Sequence, residues 1–352
     1  MRSPGWLDGR EESLARRAAL LPLEPLGWLW SAGARLHQAV YARGLRARGR
    51  LPYPVVSVGS LAAGGAGKTP VAAWLASALA RGGWPAALAS RGYGRRGRTG
   101  PLVVSDGRRV RARVACAGDE PLLLAARAPG VPVLVDRDRA RLGWRAVSAF
   151  GARVLVLDDG FQHHRLHRDV DIVLIDGVLG FGSRRCLPRG PLREPLSALG
   201  RAHAVGVVDG PLPEADAALL DRLAPDALRF EARRRPLRLR PLGGGVGEAP
   251  ESLLGVQVGM LCALARPASL RRSLLDLGAR VTAERCFRDH HVYRRRDLRG
   301  LAREAPLWVT TEKDAVKLQR HWAGEAEVRV LSLELEVEAP ERLLGWLAAR
   351  LG

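Results

Sequence analysis

The sequence predicts an α/β protein: a parallel sheet flanked by helices, followed by a second, smaller α/β unit and preceded by a basic, apolar helical segment. Three observations lead there. From residue 51 onward short apolar runs alternate with amphipathic stretches. A glycine-rich turn, LAAGGAGKTP (Leu61 to Pro70), joins the first run to the first helical stretch. The alternation then breaks at a glycine- and proline-rich stretch near Gly243 to Pro250 and restarts. The expected divisions are an N-terminal helical segment (1–50), a core domain (51–243) and a smaller C-terminal α/β domain closing over the site (244–352).

Each element has its own signal. YPVVSVG reads as a buried strand, and TPVAAWLASALARGG as a helix stopped by glycine. PAALASRG, VPVLV, ARVLVLDDG, VDIVLIDG and AHAVGVVDG give five more strands, each a short apolar run ending in turn residues. Such runs suit strands buried on both faces. RFEARRRPLRLRPLGGGVGEAP supplies a polar strand and then the break. Beyond it, QVGMLCALA, RVTAERCF, PLWVTT and VRVLSLELEV read as strands. PASLRRSLLDLG, YRRRDLRGLAREA and the closing stretch read as helices.

The first fifty residues are ambiguous. ESLARRAALLPLEPLGWLWSAGARLHQAVYARGLRARGR has an apolar middle and basic flanks. No small-residue cleavage pattern marks it as a signal peptide. Pro22, Glu24 and Pro25 interrupt the ~20 apolar residues that a spanning helix needs. Two readings stay open: an interfacial anchor, with Trp28 and Trp30 at headgroup depth and Arg43, Arg46, Arg48 and Arg50 facing anionic lipid, or a helix packed on its own domain.

Hydrophobic residues make up 47% of the 352, enough for a packed core and too many for a disordered chain. The net charge of +20 suits an anionic partner. Nucleic acid is not the expected one: aromatics are only 5%, and no zinc-finger spacing, RNP-like strand or basic heptad helix is present. Asparagine is absent and isoleucine occurs only at Ile172 and Ile175, so a GC-rich coding bias wrote part of this arginine excess. The four cysteines (Cys116, Cys186, Cys262, Cys286) form no CxxC pair, which favours neither a zinc site nor a disulfide framework and suits a reducing cytoplasm.

Against that bias, three lysines stand out: Lys68, Lys313 and Lys317. Lys68 closes Gly64-Gly65-Ala66-Gly67-Lys68-Thr69, between a strand and a helix, the context a phosphate loop requires. Glycines let backbone N–H groups surround phosphate oxygens, and a compact ammonium reaches the terminal phosphates where a broad guanidinium fork does so poorly. The Thr69 hydroxyl suits Mg²⁺. Ala62 departs from the usual pattern, which has glycine at that first position. Asp158 and Asp159 end an apolar strand at the sheet's carboxyl edge, where they can hold Mg²⁺ or simply turn the chain. His163, His164 and His167 follow; without a matching Cys or carboxylate pattern they read as substrate contacts or a solvated loop rather than zinc ligands. Asp119 and Glu120 precede Pro121, and the residues alone favour helix capping over a general base. SRGYGRRGR sets Tyr93 among Arg91, Arg95, Arg96 and Arg98, for anion binding or solvation. FRDHHVY and TTEKDAVK both follow strands and can face one cleft, with Lys313 and Lys317 placed for the nucleotide or as a helix-face pair.

The ordered set SVGS, GGAGKTP, SRGYGRR, GDEP, DDGFQHHRLHRDVDIVLID, LPRGPLREP, FRDHH and TTEKDAVK resembles the tetraacyldisaccharide 4'-kinase (lipid A 4'-kinase) family of Gram-negative bacteria, from about Pro52 to Lys317. Two departures stand out. Ser60 replaces the family's usual Asn, and Ala263-Leu264-Ala265 precedes Arg266-Pro267 where Gly-Ile is usual. The resemblance implies a P-loop NTPase-like core. It implies ATP- and Mg²⁺-dependent phosphorylation of the 4'-hydroxyl of a tetraacylated glucosamine disaccharide 1-phosphate, a step of lipid A and lipopolysaccharide biosynthesis. It also implies an anionic inner-membrane surface as partner, at the cytoplasmic face, which favours the anchor reading; the expected state is a monomer. By position, Asp119 matches the base and His290 its partner, while Lys68 serves ATP and catalysis. Thr69, Asp158, Asp159 and Glu120 fall on the metal side, and Tyr93, Gln162, His163 and Arg193 on the substrate side. The alternatives are a P-loop kinase for another small molecule, which would not call for a membrane-surface helix, and a membrane-associated ATPase switch with water as acceptor.

Overall fold

A computed structural model describes residues 18–93, 95 and 100–352. Arg96, Arg98 and the first seventeen residues of the N-terminal segment lie outside the described residues. Twelve strands form one sheet: β1 (Val55–Gly59), β2 (Ala86–Ser90), β3 (Leu102–Asp106), β4 (Pro132–Val135), β5 (Val154–Asp158), β6 (Val170–Asp176), β7 (Ala204–Val208), β8 (Leu228–Pro241), β9 (Gln257–Cys262), β10 (Arg280–Cys286), β11 (Leu307–Thr311) and β12 (Glu327–Val337). Their order is β10-β9-β11-β12-β8-β7-β6-β1-β5-β2-β4-β3. β1 is central and parallel to both neighbours, β5 and β6. Every residue of β1, β5 and β6 is buried, as their unbroken apolar runs require.

The helices are α1 (Glu24–Ala42), α2 (Lys68–Arg81), α3 (Val114–Ala117), α4 (Asp119–Arg127), α5 (Arg139–Phe150), α6 (Glu214–Leu223), α7 (Pro267–Asp276), α8 (Leu301–Glu304), α9 (Glu312–Ala315) and α10 (Pro340–Leu351). α2, α4 and α10 share one apolar cluster on one face of the first strands, through Val71, Leu75, Leu124, Leu343 and Leu347. α5 covers the opposite face with Leu142 and Ala146. Beyond the break, Trp308 and Leu261 anchor one cluster and Met260 and Val309 another.

The structure differs from the sequence expectations at four places. The sheet is not wholly parallel: β3 pairs antiparallel with β4, and β12 antiparallel with β8. β3 was not expected as a strand, because it is a sheet edge that ends in polar Ser105 and Asp106. YRRRDLRGLAREA does not form one helix. It makes a 3₁₀ turn, Arg295–Leu298, and the four-residue α8, separated by Gly300 in the left-handed region (φ 77°); Asp297 accepts from Arg294 N at 2.8 Å and turns the chain early. The closing helix α10 belongs by packing to the first half, since Leu343, Leu347 and Leu351 lie in the α2 cluster.

That placement makes a stability prediction. Leu347 is fully buried, so Leu347→Ala should lower unfolding free energy by about 3 kcal/mol in urea titration. A loss below about 0.5 kcal/mol would show that α10 is only loosely seated.

Candidate active site

β1 ends at Gly59 and α2 begins at Lys68, so residues 60–67 form the turn at the carboxyl edge of the central strand. Gly67 caps α2 with φ 78°, and a Cβ there would stand 3.2 Å from Val208. That position needs glycine. Ala62, the departure from the usual pattern, bridges to Leu192 and is not among the residues with positive φ, so its methyl is accommodated. Lys68 Nζ donates to Gly64 O (3.0 Å) and Ser60 Oγ (3.2 Å) and lies 3.7 Å from Asp159. Burial pushes this ammonium's pKa down, and Asp159 opposes the shift. Gln162 Nε2 donates to Ser60 O at 3.1 Å, fixing the residue that receives Lys68.

Asp158 and Asp159 part company at the end of β5. Asp158 is buried, and its Oδ2 accepts from Thr69 Oγ1 at 3.3 Å. Its Oδ1 is buried without a hydrogen-bond partner. Burial pushes this carboxyl's pKa upward, and Glu120 and Asp159 add to the push. Asp159, at φ 55°, turns instead to Arg193, whose Nη1 donates to both its oxygens at 2.7 and 2.8 Å. Burial works to raise the Asp159 carboxyl, but Lys68 and Arg193 overcome it and hold the pKa low.

Among the described residues no three His, Cys, Asp or Glu side chains are grouped to hold a metal. The fit to Mg²⁺ is narrower and of the kind this ion takes beside phosphates: one or two protein oxygens, with water and ligand oxygens completing the shell. The orphaned Asp158 Oδ1 and the neighbouring Thr69 hydroxyl suit it. Glu120 acts on Asp158 through its charge, and Asp159 is already held by two cations.

The second cluster crosses the sheet's two halves. Asp119 opens α4 with its side chain 5% exposed. His290 Nδ1 donates to both Asp119 oxygens, at 2.9 and 3.0 Å. Lys317 Nζ stands 3.5 Å from Asp119 Oδ2. Lys313 pairs with Asp289 at 2.7 Å and lies 4.0 Å from Glu120. Burial tends to raise the Asp119 pKa; the His290 hydrogen bond with Lys313 and Lys317 more than reverses this and holds the carboxylate ionised. His290 in turn has its pKa raised, first by that hydrogen bond. The Tyr93 ring, half exposed, lies 4.9 Å from the His290 ring.

FRDHH and TTEKDAVK thus meet GDEP, as the shared-cleft expectation had it. The three histidines of the loop after β5 disperse. Burial, then Arg139 and Arg168, push the His163 pKa down to about 3, so the ring is neutral. His164 is buried 3.6 Å from Glu194 and edge-on to His37 of α1, while His167 faces Asp169. Sequence reasoning missed three contacts. Trp30 Nε1 donates to Arg193 O at 2.8 Å, tying α1 to the site. Arg266 Nη2 donates to Gly65 O (3.1 Å) and to Asp176 (2.6 Å), crossing from the second half to the phosphate loop; the departure at 263–265 flagged the region but not the contact. Lys317 reaches Asp119 itself, and only its rarity hinted at a role. Beside the loop, Leu61, Leu174, Ile175, Phe181, Asp176 and Arg266 line an open, largely apolar cleft.

The family described as LpxK, tetraacyldisaccharide-1-P 4'-kinase, matches residues 19–352. A tetraacyldisaccharide 4'-kinase of Anaeromyxobacter sp. (strain Fw109-5) is 42% identical over 342 residues, covering 94% of this chain and 90% of the relative. One from Anaeromyxobacter dehalogenans (strain 2CP-C) is 46% identical over 318 residues, covering 87% and 83%. The crystal structure of LpxK from Aquifex aeolicus in complex with ATP superposes with a TM-score of 0.76 at 29% identity, covering 95% of this chain and 100% of that one.

Gly118, just before Asp119, has φ 89°, and a Cβ there would fall 2.5 Å from Tyr93 O. Gly118→Ala must therefore move the Asp119 turn or the Tyr93 backbone. Expected outcomes are a stability loss of about 1–3 kcal/mol by denaturant titration and a fall in activity larger than that loss explains. Unchanged stability and activity would show the turn to be plastic.

Proposed function

The chain belongs to the tetraacyldisaccharide-1-P 4'-kinase family, and from that premise we propose that it transfers the terminal phosphoryl group of ATP to the 4'-hydroxyl of a tetraacylated glucosamine disaccharide 1-phosphate, in lipid A biosynthesis. The observation that carries the reading is the convergence of Asp119 and His290 beside the phosphate-loop acids, at 2.9 Å from each other and from opposite halves of the sheet.

Phosphoryl transfer asks for placement and charge neutralisation more than covalent help. The backbone of residues 64–67 and the Lys68 ammonium bind the phosphates of ATP. Lys68, which here donates to Gly64 O and Ser60 Oγ, turns to ligand oxygens when ATP binds. Asp158 and Thr69 would hold Mg²⁺, which would supply positive charge against the phosphate oxygens. Asp119, ionised, accepts the proton of the sugar hydroxyl as that oxygen approaches phosphorus. His290 aims the carboxylate and shares its charge. Neutral His163, Gln162, Tyr93 and Arg193 line the approach of the disaccharide, with Arg193 able to exchange Asp159 for an anionic group of substrate. The nucleoside occupies the cleft between Phe181, Leu174 and Arg266, whose apolar lining and two polar tips suit a purine and ribose. The unit beyond residue 243, apart from α10, closes on the unit 51–243 to assemble the site.

The membrane reading rests on α1. No helix among the described residues is long and apolar enough to cross a membrane. Yet Leu26, Leu29, Trp30 and Leu36 are exposed at helical spacing, with Leu21 and Trp28 beside them. Glu24 pairs with Arg189 at 3.1 Å beneath, so the helix is pinned on one side and apolar on the other. Such a helix lies in the headgroup plane, with the arginines after residue 42 toward anionic lipid at the cytoplasmic face of the inner membrane. The acyl chains then stay in the bilayer while the sugar enters the cleft.

Two experiments test this. With ATP, Mg²⁺ and the lipid disaccharide, the wild type should yield phosphorylated lipid, while Asp119→Ala should lose turnover about 10²-fold or more and still bind ATP; retained turnover removes Asp119 as the base. In flotation with vesicles containing anionic phospholipid, Leu29→Ser with Leu36→Ser should cut membrane binding about tenfold without lowering Tm, and unchanged flotation would sink the anchor.

A further inference from the structure

Lys317 is one of three lysines in a chain with 56 Lys and Arg residues, and it is buried as deeply as the carboxylate it meets. The side chains of Lys317 and Asp119 are each 5% exposed. That depth removes Lys317 from direct contact with nucleotide, unlike Lys313, which is 17% exposed. The ammonium stands 2.9 Å from Asp314 Oδ1, 3.5 Å from Asp119 Oδ2 and 5.4 Å from the centre of the Tyr293 ring. Asp314 is fully buried and fixed from three sides: Thr311 Oγ1 donates to its Oδ2 at 2.8 Å, Ala263 N does so at 3.1 Å, and its own N–H bonds Thr311 Oγ1 at 3.1 Å. Thr311 ends β11 and Ala263 follows β9, so this anchor is rooted in two strands of the second half.

We propose that Lys317 is a positioning residue for the phosphoryl transfer, carrying the fixed Asp314 anchor across the cleft to Asp119 so that the base is aimed only when the second half is seated. The proposal rests on Asp119 being the base. His290 bonds both Asp119 oxygens from a loop, at a left-handed residue with φ 59°; Lys317 sets its charge beside Oδ2 from the turn after α9, held there by Asp314, which is tied to two packed strands. The residue type follows. A slot between two carboxylates and a ring face takes a compact ammonium. A guanidinium keeps the charge but brings five donors and a planar fork, of which the same slot satisfies only part.

The test uses the full chain in the lipid-kinase assay, with thermal unfolding alongside. Lys317→Met keeps the side chain's length and removes its charge. It should lower kcat about 10- to 100-fold and leave KM for ATP and for the lipid within about twofold, because aim is lost and binding is not. Lys317→Arg should keep more turnover than Lys317→Met. Equal loss in both with a fallen Tm marks a packing role and overturns the proposal, as does wild-type kcat in a folded Lys317→Met. A second measurement does not depend on how that variant folds. Protein labelled with ¹⁵N-lysine has only three ammonium signals, and Asp119→Asn should move the Lys317 signal; an unmoved signal overturns the contact. If Asp119→Ala keeps its turnover, the base assignment has failed and this role falls with it. That outcome is told apart from a failure of Lys317 alone, in which Asp119→Ala is inactive and Lys317→Met is not.

Discussion

Asp119 is a carboxylate with almost no exposed surface, placed where two halves of one sheet meet. An ion so placed costs several kcal/mol unless opposite charges and donors surround it. Among the described residues, α4 itself offers Asp119 Oδ1 the Glu120 N–H at 3.0 Å, together with Glu120's like charge. The groups that make the burial tolerable come from beyond the break: His290, Lys317 and, one shell out, Lys313. Burying this acid as an ion and packing the second half against it therefore depend on the same contacts. A solvent-open Asp119 would be an ordinary carboxylate on the first turn of a helix. Closed, it is held ionised and aimed by residues 171 and 198 positions away in sequence. The ion pair of Arg127 with Glu312 and the Arg266–Asp176 pair cross the same junction, so the halves meet through charge as much as through apolar area.

A second coupling runs from the surface inward. The chain from Arg185 to Arg193 lies between α1 and the phosphate loop. Arg193 N donates to Leu61 O at 2.7 Å, and Ala63 N donates to Pro191 O at 2.8 Å. On the outer side, Trp30 donates to Arg193 O, and Glu24 receives Arg189. Gly27 allows the approach, since a Cβ there would stand 3.2 Å from Arg189 Cβ. The helix with the exposed apolar stripe is thus two contacts from Asp159 and three from Lys68, and whatever seats α1 also bears on the arginine that holds Asp159.

How much of this the residues disclosed depends on whether the signal was local. The phosphate loop was legible because its constraint is local: glycine where φ is positive, then a small cation. The strands β1, β5 and β6 were legible because burial on both faces leaves unbroken apolar runs. β3 escaped because an edge strand with one polar end looks like a loop. Asp119 read as a cap, and it does open a helix; nothing within ten residues reveals the partners that make it more. Its expected role as base came from resemblance; the structure adds the buried contacts that surround it. The packing of α10 on the first half was illegible for the same cause: an amphipathic helix states which face is apolar, not which sheet will cover it.

The retained lysines join these threads. Under a bias that writes arginine for lysine, lysine persists where the exchange is geometrically barred, so its rarity is a readout of crowding around a positive charge. Lys68 sits inside the curl of its own loop, 3.0 Å from a carbonyl four residues back. Lys317 fills a slot between two buried carboxylates. Lys313, bonded to Asp289 and near Glu120, stands at the mouth of the same junction. A guanidinium at any of the three would crowd a neighbouring segment or leave part of its five donors unsatisfied. Three ammonium groups therefore outline one path, from the phosphate loop through the acid pair to the anchor in the second half, along which the chain has kept compact charge and spent its arginines elsewhere.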